Sequence, residues 1–311
     1  MASNIYSDPL VEPFTMTKKI CIIIPTYNRW NYLKELLASI YHQSIADAIA
    51  LIPIVVIDGS TDGTMDQMKQ EFPQVPVILG TGNWWWSRSV NEGGKYAISK
   101  YHPDYILLLN DDSIIQPNYI QTLLDAYNTL KGPAVIGSIS VSDTQPHLVS
   151  FAGIKKVDWW KLKTHHYYKA FTPLNEMPTD GLKPTYALNG RGIFASAAIF
   201  SSLGFLNAKD FPQYGSDDDF AQRAWKKNIP VYISFSCRVY DRTLETSKGT
   251  AFRQDSLKVF LSSFITWNSV NYIPKQLKYF WAHGYKLLIP FYFFKFLLGT
   301  SNAYFFKYKK K

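Results

Sequence analysis

Apolar runs alternate with stretches of helical spacing over the first 130 residues. Lys19–Pro25, Leu51–Ile57 and Val75–Leu79 are apolar, and between them Asn31–Gln43 and Thr64–Phe72 carry apolar residues at helical spacing. Short apolar runs separated by amphipathic stretches mark strand-helix-strand units, whose strands pair in parallel with helices on both faces. Ser89–Tyr101 supplies a further helix, Tyr105–Leu109 a strand and Pro117–Leu130 another helix. After Lys131 the runs shorten to Val135–Val141, Leu148–Ile154 and His165–Phe171, broken by Pro and Gly, which predicts a mixed or antiparallel second half. From about Asp255 the sequence is aromatic and helical in spacing, and reads as a helical appendage.

Three strand ends carry polar chemistry. Ile106–Leu109 stops abruptly in Asn110-Asp111-Asp112, and the carboxyl ends of strands in open α/β sheets are where ligands gather. Alternate residues of an extended segment share a side, so Asn110 and Asp112 are expected to address one ion or its diphosphate together. A polar turn after a core strand is the plainer alternative. The first strand leads into Pro25-Thr26-Tyr27-Asn28-Arg29, where Pro25 is expected to end the ladder and the polar residues to cradle a base or ribose. Capping the next helix is the other use for Asn28. The second strand ends in Asp58-Gly59-Ser60-Thr61-Asp62-Gly63, either a second wall of the same pocket or a helix cap. Farther on, Gly215-Ser216-Asp217-Asp218-Asp219 opens a helix that closes in Lys226-Lys227. A carboxylate there can draw the proton from an attacking hydroxyl; acids at a helix start and lysines at its end also suit the dipole.

Composition narrows the partners. A hydrophobic fraction of 47% with 18% charged residues describes a folded chain. The charge of +9 suits nucleic acid, anionic lipid or a phosphate-bearing substrate alike. Lys307, Lys309, Lys310 and Lys311 follow an aromatic stretch, which favours a lipid surface, and no basic, aromatic-interleaved helix argues for nucleic acid. Nine Trp, 21 Tyr and 20 Phe suit sugar stacking or a membrane interface. Leu287–Leu298 is apolar but interrupted by Pro290 and Lys295, so it is expected to lie on a bilayer rather than cross it. Cys21 and Cys237 sit in apolar settings with no disulfide pattern, and the N-terminus shows no basic region followed by an apolar core. The expected location is therefore the cytoplasm, at the inner face of the cytoplasmic membrane. His165 and His166 lack partners at metal-ligand spacing.

The motifs Ile22–Arg29, Val55–Thr64, Thr81–Gly94 and Ile106–Ser113, in that order, resemble the family 2 glycosyltransferases of the GT-A fold over roughly residues 18–250. The resemblance implies an α/β fold: a Rossmann-like mixed sheet flanked by helices. It divides the chain into a tail (1–17), a nucleotide-sugar half (18–130), an acceptor half (131–250) and a helical, membrane-associating segment (251–311). It implies that Pro25, Thr26, Tyr27, Asn28, Arg29, Asp58 and Asn83 contact the nucleotide, that Arg88 and Asn91 line the donor pocket, and that Asn110 and Asp111 stand beside the diphosphate. Asp112 is then the ligand of a divalent cation, Mg²⁺ or Mn²⁺, with Asp241 near the place of a further histidine ligand. Asn110 departs from the family pattern and removes one negative charge. Counting six residues before Arg223 places the base at Asp217, with Asp218 the alternate. Asn189, Gly190 and Arg191 resemble the family's small-residue turn near the acceptor. The Trp84-Trp85-Trp86 run is similar to the rhamnosyl- and galactofuranosyltransferase branch, with Trp85 placed at the acceptor and core filling the other use of these indoles. The implied reaction is inverting transfer from a nucleotide-diphosphate sugar to a hydroxyl of a glycan or lipid-linked glycan in cell-surface polysaccharide synthesis. A sugar-nucleotide nucleotidyltransferase and a decayed glycan- or membrane-binding protein are the alternatives.

Overall fold

A computed structural model describes residues 17–144, 146–242 and 256–308. The tail before residue 17, the basic end Lys309–Lys311 and residues 243–255 lie outside the described residues.

The first half follows the predicted alternation: β1 (Lys18–Thr26), α1 (Trp30–Tyr41), β2 (Ile49–Ile57), α2 (Thr64–Glu71), β3 (Val77–Leu79), α3 (Trp85–Tyr101) and β4 (Tyr105–Leu108). β1 pairs in parallel with both β2 and β4, and β3 extends β2, so the local order is β3-β2-β1-β4. Ile20 to Ile24 are all fully buried, because helices cover β1 on both faces; this is why its sequence is a continuous apolar run rather than an alternation. Gly93 lets α3 lie close to the sheet: a Cβ there would fall 2.6 Å from Ile23 Cγ2 and 3.0 Å from Val56 Cγ2.

Pro25 does not end β1, which runs on to Thr26. Thr26 O accepts from Asp58 N on the β2 side and Ile23 O from Leu109 N on the β4 side, so the missing N–H of Pro25 faces β4. Leu109 N–H still donates to Ile23 O there, and the next bond of a parallel ladder would need the Pro25 N–H, so the β4 ladder ends at the proline while the β2 ladder runs on.

The second half is β5 (Ser113–Ile115), α4 (Tyr119–Asn128), β6 (Val135–Ser142), β7 (Leu148–Phe151), β8 (Ile154–Asp158), β9 (Lys163–His166), β10 (Thr172–Pro173), β11 (Leu182–Pro184), β12 (Ile193–Ser196), α5 (Ala197–Leu203), α6 (Ser216–Lys226) and β13 (Val231–Asp241). β12 joins the halves by pairing antiparallel with β4 and β6, giving the path β10-β7-β6-β12-β4-β1-β2-β3. β13 pairs in parallel with β6 and antiparallel with β5 and β11. The expected change from parallel to mixed pairing therefore falls after β4. β8 and β9 form a separate hairpin that carries His165 and His166.

Among the described residues, α7 (Leu257–Ser262), α8 (Ile273–His283) and α9 (Ile289–Asn302) follow. Pro290 does not break the apolar run but opens α9 in its first turn, where a missing N–H is harmless. Among the described residues, no helix is long and apolar enough to cross a membrane.

Candidate active site

The tips of β1, β2 and β4 converge with the turn before β12 and the start of α6. Asn28, at φ 53°, ties the first two tips together: its N–H donates to Ser60 Oγ at 2.9 Å and its Oδ1 accepts from Thr61 N at 2.7 Å. Tyr27 beside it is exposed. Asp58 is buried and does not stand open to a nucleotide. Its Oδ1 accepts from Gly82 N at 2.7 Å, and its Oδ2 from Trp84 N and Trp85 N, both at 2.8 Å. Both oxygens thus hold the 82–85 loop in place, with exposed Asn83 at its outer edge.

The Trp run divides by task. Trp84 receives the exposed Arg88 guanidinium 5.1 Å from its ring centre. Trp85, expected at the acceptor, packs edge-on against Trp267 at 4.2 Å. Trp86 Nε1 donates to Asn110 Oδ1 at 2.8 Å, so the amide at the first position of the acidic triplet is spent on the indole. Asn91, expected in the donor pocket, is buried away from it. Its amide donates to Leu206 O at 2.8 Å and accepts from Leu206 N at 3.0 Å, clamping the loop after α5.

The acidic triplet is a turn rather than a strand, closed by Ser113 N donating to Asn110 O at 3.1 Å. The alternation expected of Asn110 and Asp112 therefore does not apply; Asp111 and Asp112 converge instead. Arg29 Nη1 lies 3.2 Å from Asp111 Oδ1 and 3.1 Å from Asp112 Oδ2. Thr26 Oγ1 donates to Asp111 Oδ2 at 2.8 Å, so Thr26 and Arg29, two of the expected nucleotide contacts, brace this turn. Burial pushes the Asp111 carboxyl up to about 6 against the opposing pull of Arg29.

β5 and β13 bring Asp241 to the same place, and Arg191 spans the gap. Its Nη1 bonds to Asp241 Oδ2, and its Nη2 lies 4.0 Å from Asp112 Oδ1. Asp112 Oδ1 and Asp241 Oδ1 are buried with no hydrogen-bond partner. Among the described residues, no group of three or more His, Cys, Asp or Glu side chains could hold a metal ion. Two carboxylates with spare oxygens nevertheless suit a hard divalent cation, because Mg²⁺ commonly takes one or two protein carboxylates and completes its shell with phosphate oxygens and water.

The next residue toward the N-terminus reaches the second acidic group. Gly190 N donates to Asp217 Oδ2 at 3.0 Å, and a Cβ on Gly190 would fall 2.4 Å from the Trp86 ring. Asn189 faces β6, donating to Ser140 Oγ at 3.1 Å. Burial pushes Asp217 up, and pushes Asp218 well up, since Asp218 also faces the charge of Asp217. Lys275 of α8 opposes both shifts. Asp218 lines a cleft of about 280 Å³ with Trp159 and Leu162 of the β8–β9 hairpin and Gln276, Tyr279 and Phe280 of α8.

A profile described as "Glycosyl transferase family 2" matches residues 21–182, more than half of the chain. The chain belongs to glycosyl transferase family 2. It is 24% identical over 261 residues to the low-salt glycan biosynthesis hexosyltransferase Agl10 of Haloferax volcanii, covering 82% of this chain and 78% of that one. It is also 24% identical over 254 residues to the N-acetylglucosaminyl-diphospho-decaprenol L-rhamnosyltransferase of Mycobacterium tuberculosis, covering 76% and 80% of the two chains. The crystal structure of S. aureus TarS 1–349 superposes with a TM-score of 0.52 at 15% identity, covering 94% of this chain and 75% of that one. The mixed sheet with flanking helices is the GT-A fold, and the chain is a glycosyltransferase of glycan synthesis.

Of the residues around the carboxylates, the motifs had marked Trp86, as one of the three tryptophans, but not Ser150, Lys275 or Tyr279. Trp86, Ser150, Lys275 and Tyr279 stand at or beside the carboxylates. Asp219, next to the expected base, turns away to Arg223 at 2.7 Å and to buried His283 at 2.9 Å. That bond docks α8 onto α6. Only the helical spacing of the appendage hinted that it would pack so near.

Proposed function

We propose that this glycosyltransferase inverts the anomeric centre, moving a sugar from a nucleotide-diphosphate donor to a hydroxyl of a glycan or lipid-linked glycan. The observation that carries this reading is the Gly190-Arg191 turn. One residue fixes Asp217 and the next bonds Asp241 and approaches Asp112, so the proton acceptor and the diphosphate side are held by adjacent residues.

Asp217 is the base. Held by the Gly190 N–H, its carboxylate takes the acceptor proton as the hydroxyl oxygen attacks the anomeric carbon and the bond to the donor's diphosphate breaks on the opposite face. Asp218 stands beside it, its own carboxyl pushed well up by burial and by the charge of Asp217. Arg29 and Arg191 bring positive charge to the side where the leaving diphosphate gathers negative charge. Asp112 and Asp241 would hold Mg²⁺ or Mn²⁺, which when bound neutralises that charge further. The loop carrying Asn83 and Arg88, pinned by Asp58, borders the donor, with Tyr27 and Asn28 at the nucleotide end.

The membrane face is α9 and its surroundings. Leu287, Phe291, Phe294 and Leu298 recur at spacings of four, three and four and are exposed, Leu287 at 95%, while Tyr292 on the other face is fully buried. Exposed Trp160 lies 4.6 Å from Tyr285, so the β8–β9 hairpin extends the same surface, and Lys286 and Lys295 supply positive charge beside it. An apolar stripe edged with lysine suits an anionic bilayer, and supports a seat for the enzyme at the inner face of the cytoplasmic membrane. The test is Asp217→Asn. Donor binding by calorimetry stays unchanged while turnover falls by two to four orders of magnitude, about the worth of a general base. Equal loss of both would give Asp217 a structural role instead.

A further inference from the structure

Arg191 holds an unusual position: a guanidinium, with its side chain 10% exposed, stands where two buried carboxylates meet. It is under-used there. Nη1 makes a close bond to Asp241 Oδ2, but Nη2 remains 4.0 Å from Asp112 Oδ1, and Nε has no partner. Asp112 Oδ1 and Asp241 Oδ1 likewise have no hydrogen-bond partner. A structural ion pair evolved only for stability would satisfy these buried atoms.

The backbone on either side is closely packed. A Cβ on Gly190 would meet Trp86, and one on Gly192, at φ 85°, would meet Ser138 Oγ at 2.6 Å and Tyr119 Oη at 2.7 Å. Any change in what Arg191 contacts is therefore a side-chain movement. Its free donors suit a phosphate oxygen, for which a guanidinium is well shaped.

We propose that Arg191 is a resident counter-cation for Asp112 and Asp241, which keeps the pair closed to a free divalent ion until a donor diphosphate draws the guanidinium away. An ion entering without the donor meets a positive charge already seated between its two ligands, and binds weakly. A diphosphate offers that charge another partner and opens the acids to the ion, so donor and cation enter together. This rests on the reading of Asp112 and Asp241 as the cation's ligands.

The experiment titrates Mn²⁺ alone, without nucleotide, into the full chain, following free Mn²⁺ by electron paramagnetic resonance. Arg191→Met is expected to bind Mn²⁺ at least about tenfold more tightly than wild type, since one unit charge within about 4 Å is removed. Adding Asp112→Asn to Arg191→Met abolishes the gain. The thermal midpoint of Arg191→Met falls without the ion and recovers with it more than the wild type's does. Wild-type binding as tight as that of Arg191→Met, or weaker binding by the folded variant, overturns the proposal. Should Arg191→Met fail to fold, Arg191→Gln, which also removes the charge, carries the comparison, with a gain of similar size expected and no gain overturning it. Because no donor is present, the result stands apart from whether the chain transfers sugar: an inactive protein that behaves as expected would sink the transfer reading alone.

Discussion

Asp58→Asn separates two uses of a strand-tip carboxylate. The structure gives its oxygens three backbone donors: Gly82 on Oδ1 at 2.7 Å, and Trp84 and Trp85 on Oδ2 at 2.8 Å. An asparagine that keeps its oxygen at the Oδ2 position leaves Trp84 and Trp85 an uncharged acceptor and sets its own NH₂ against the Gly82 N–H, donor facing donor. Losing one charge-assisted bond costs about 1.5–3 kcal/mol, and removing the charge from two others about 0.5–1 kcal/mol each, for a total of about 2.5–5 kcal/mol. Urea unfolding followed by tryptophan fluorescence reads this directly. The reasoning is refuted if stability changes by less than about 1 kcal/mol while the donor KM rises, because Asp58 would then be a direct nucleotide contact with little part in holding the loop.

Asp219→Ala leaves Arg223 and His283 without their buried carboxylate and should destabilise the chain by about 3–5 kcal/mol in the same urea assay, whereas Asp219 as a mere helix cap would cost about 1. The acid limb of the kcat profile should lie above the ordinary aspartate range of about 4, because burial raises the pair and the base acts only when ionised. Lys275→Met removes a charge that favours the ionised form and moves that limb higher; an unmoved limb contradicts the assignment. Replacing Phe291, Phe294 and Leu298 together by serine should lower binding to anionic phosphatidylglycerol vesicles by more than about 100-fold, from about 1.5–3 kcal/mol per side chain. Unchanged flotation would remove α9 as the anchor.

The fold was legible where one physical signal dominated. Continuous apolar runs identified the buried parallel strands, and helical spacing identified α1 to α4 within a few residues. Pro25 ends the ladder on its β4 side, as expected, but not on its β2 side, where its N–H is not called on. Acid-rich motifs revealed which residues gather at the site but not what each one touches. Asp58 and Asn91 carry the residue types expected of ligand contacts, yet their partners are backbone groups 24 and 115 residues away. Local alternation failed at Asn110–Asp112 because the segment turns. The contribution of α8 was hidden for a similar reason: Lys275 and His283 look like ordinary residues of an amphipathic helix until α6 packs beside them.

The central claim is transfer from a nucleotide-diphosphate sugar with Asp217 as base. The most direct measurement is nucleotide release by wild type and Asp217→Asn across a panel of nucleotide sugars, with Mg²⁺ or Mn²⁺, chelator controls and a lipid-linked glycan acceptor. Acceptor-dependent release of nucleoside diphosphate from one donor, abolished by chelator and reduced at least about 100-fold in Asp217→Asn, is the result predicted. Release of inorganic diphosphate, or release that neither needs acceptor nor falls in Asp217→Asn, would contradict the account.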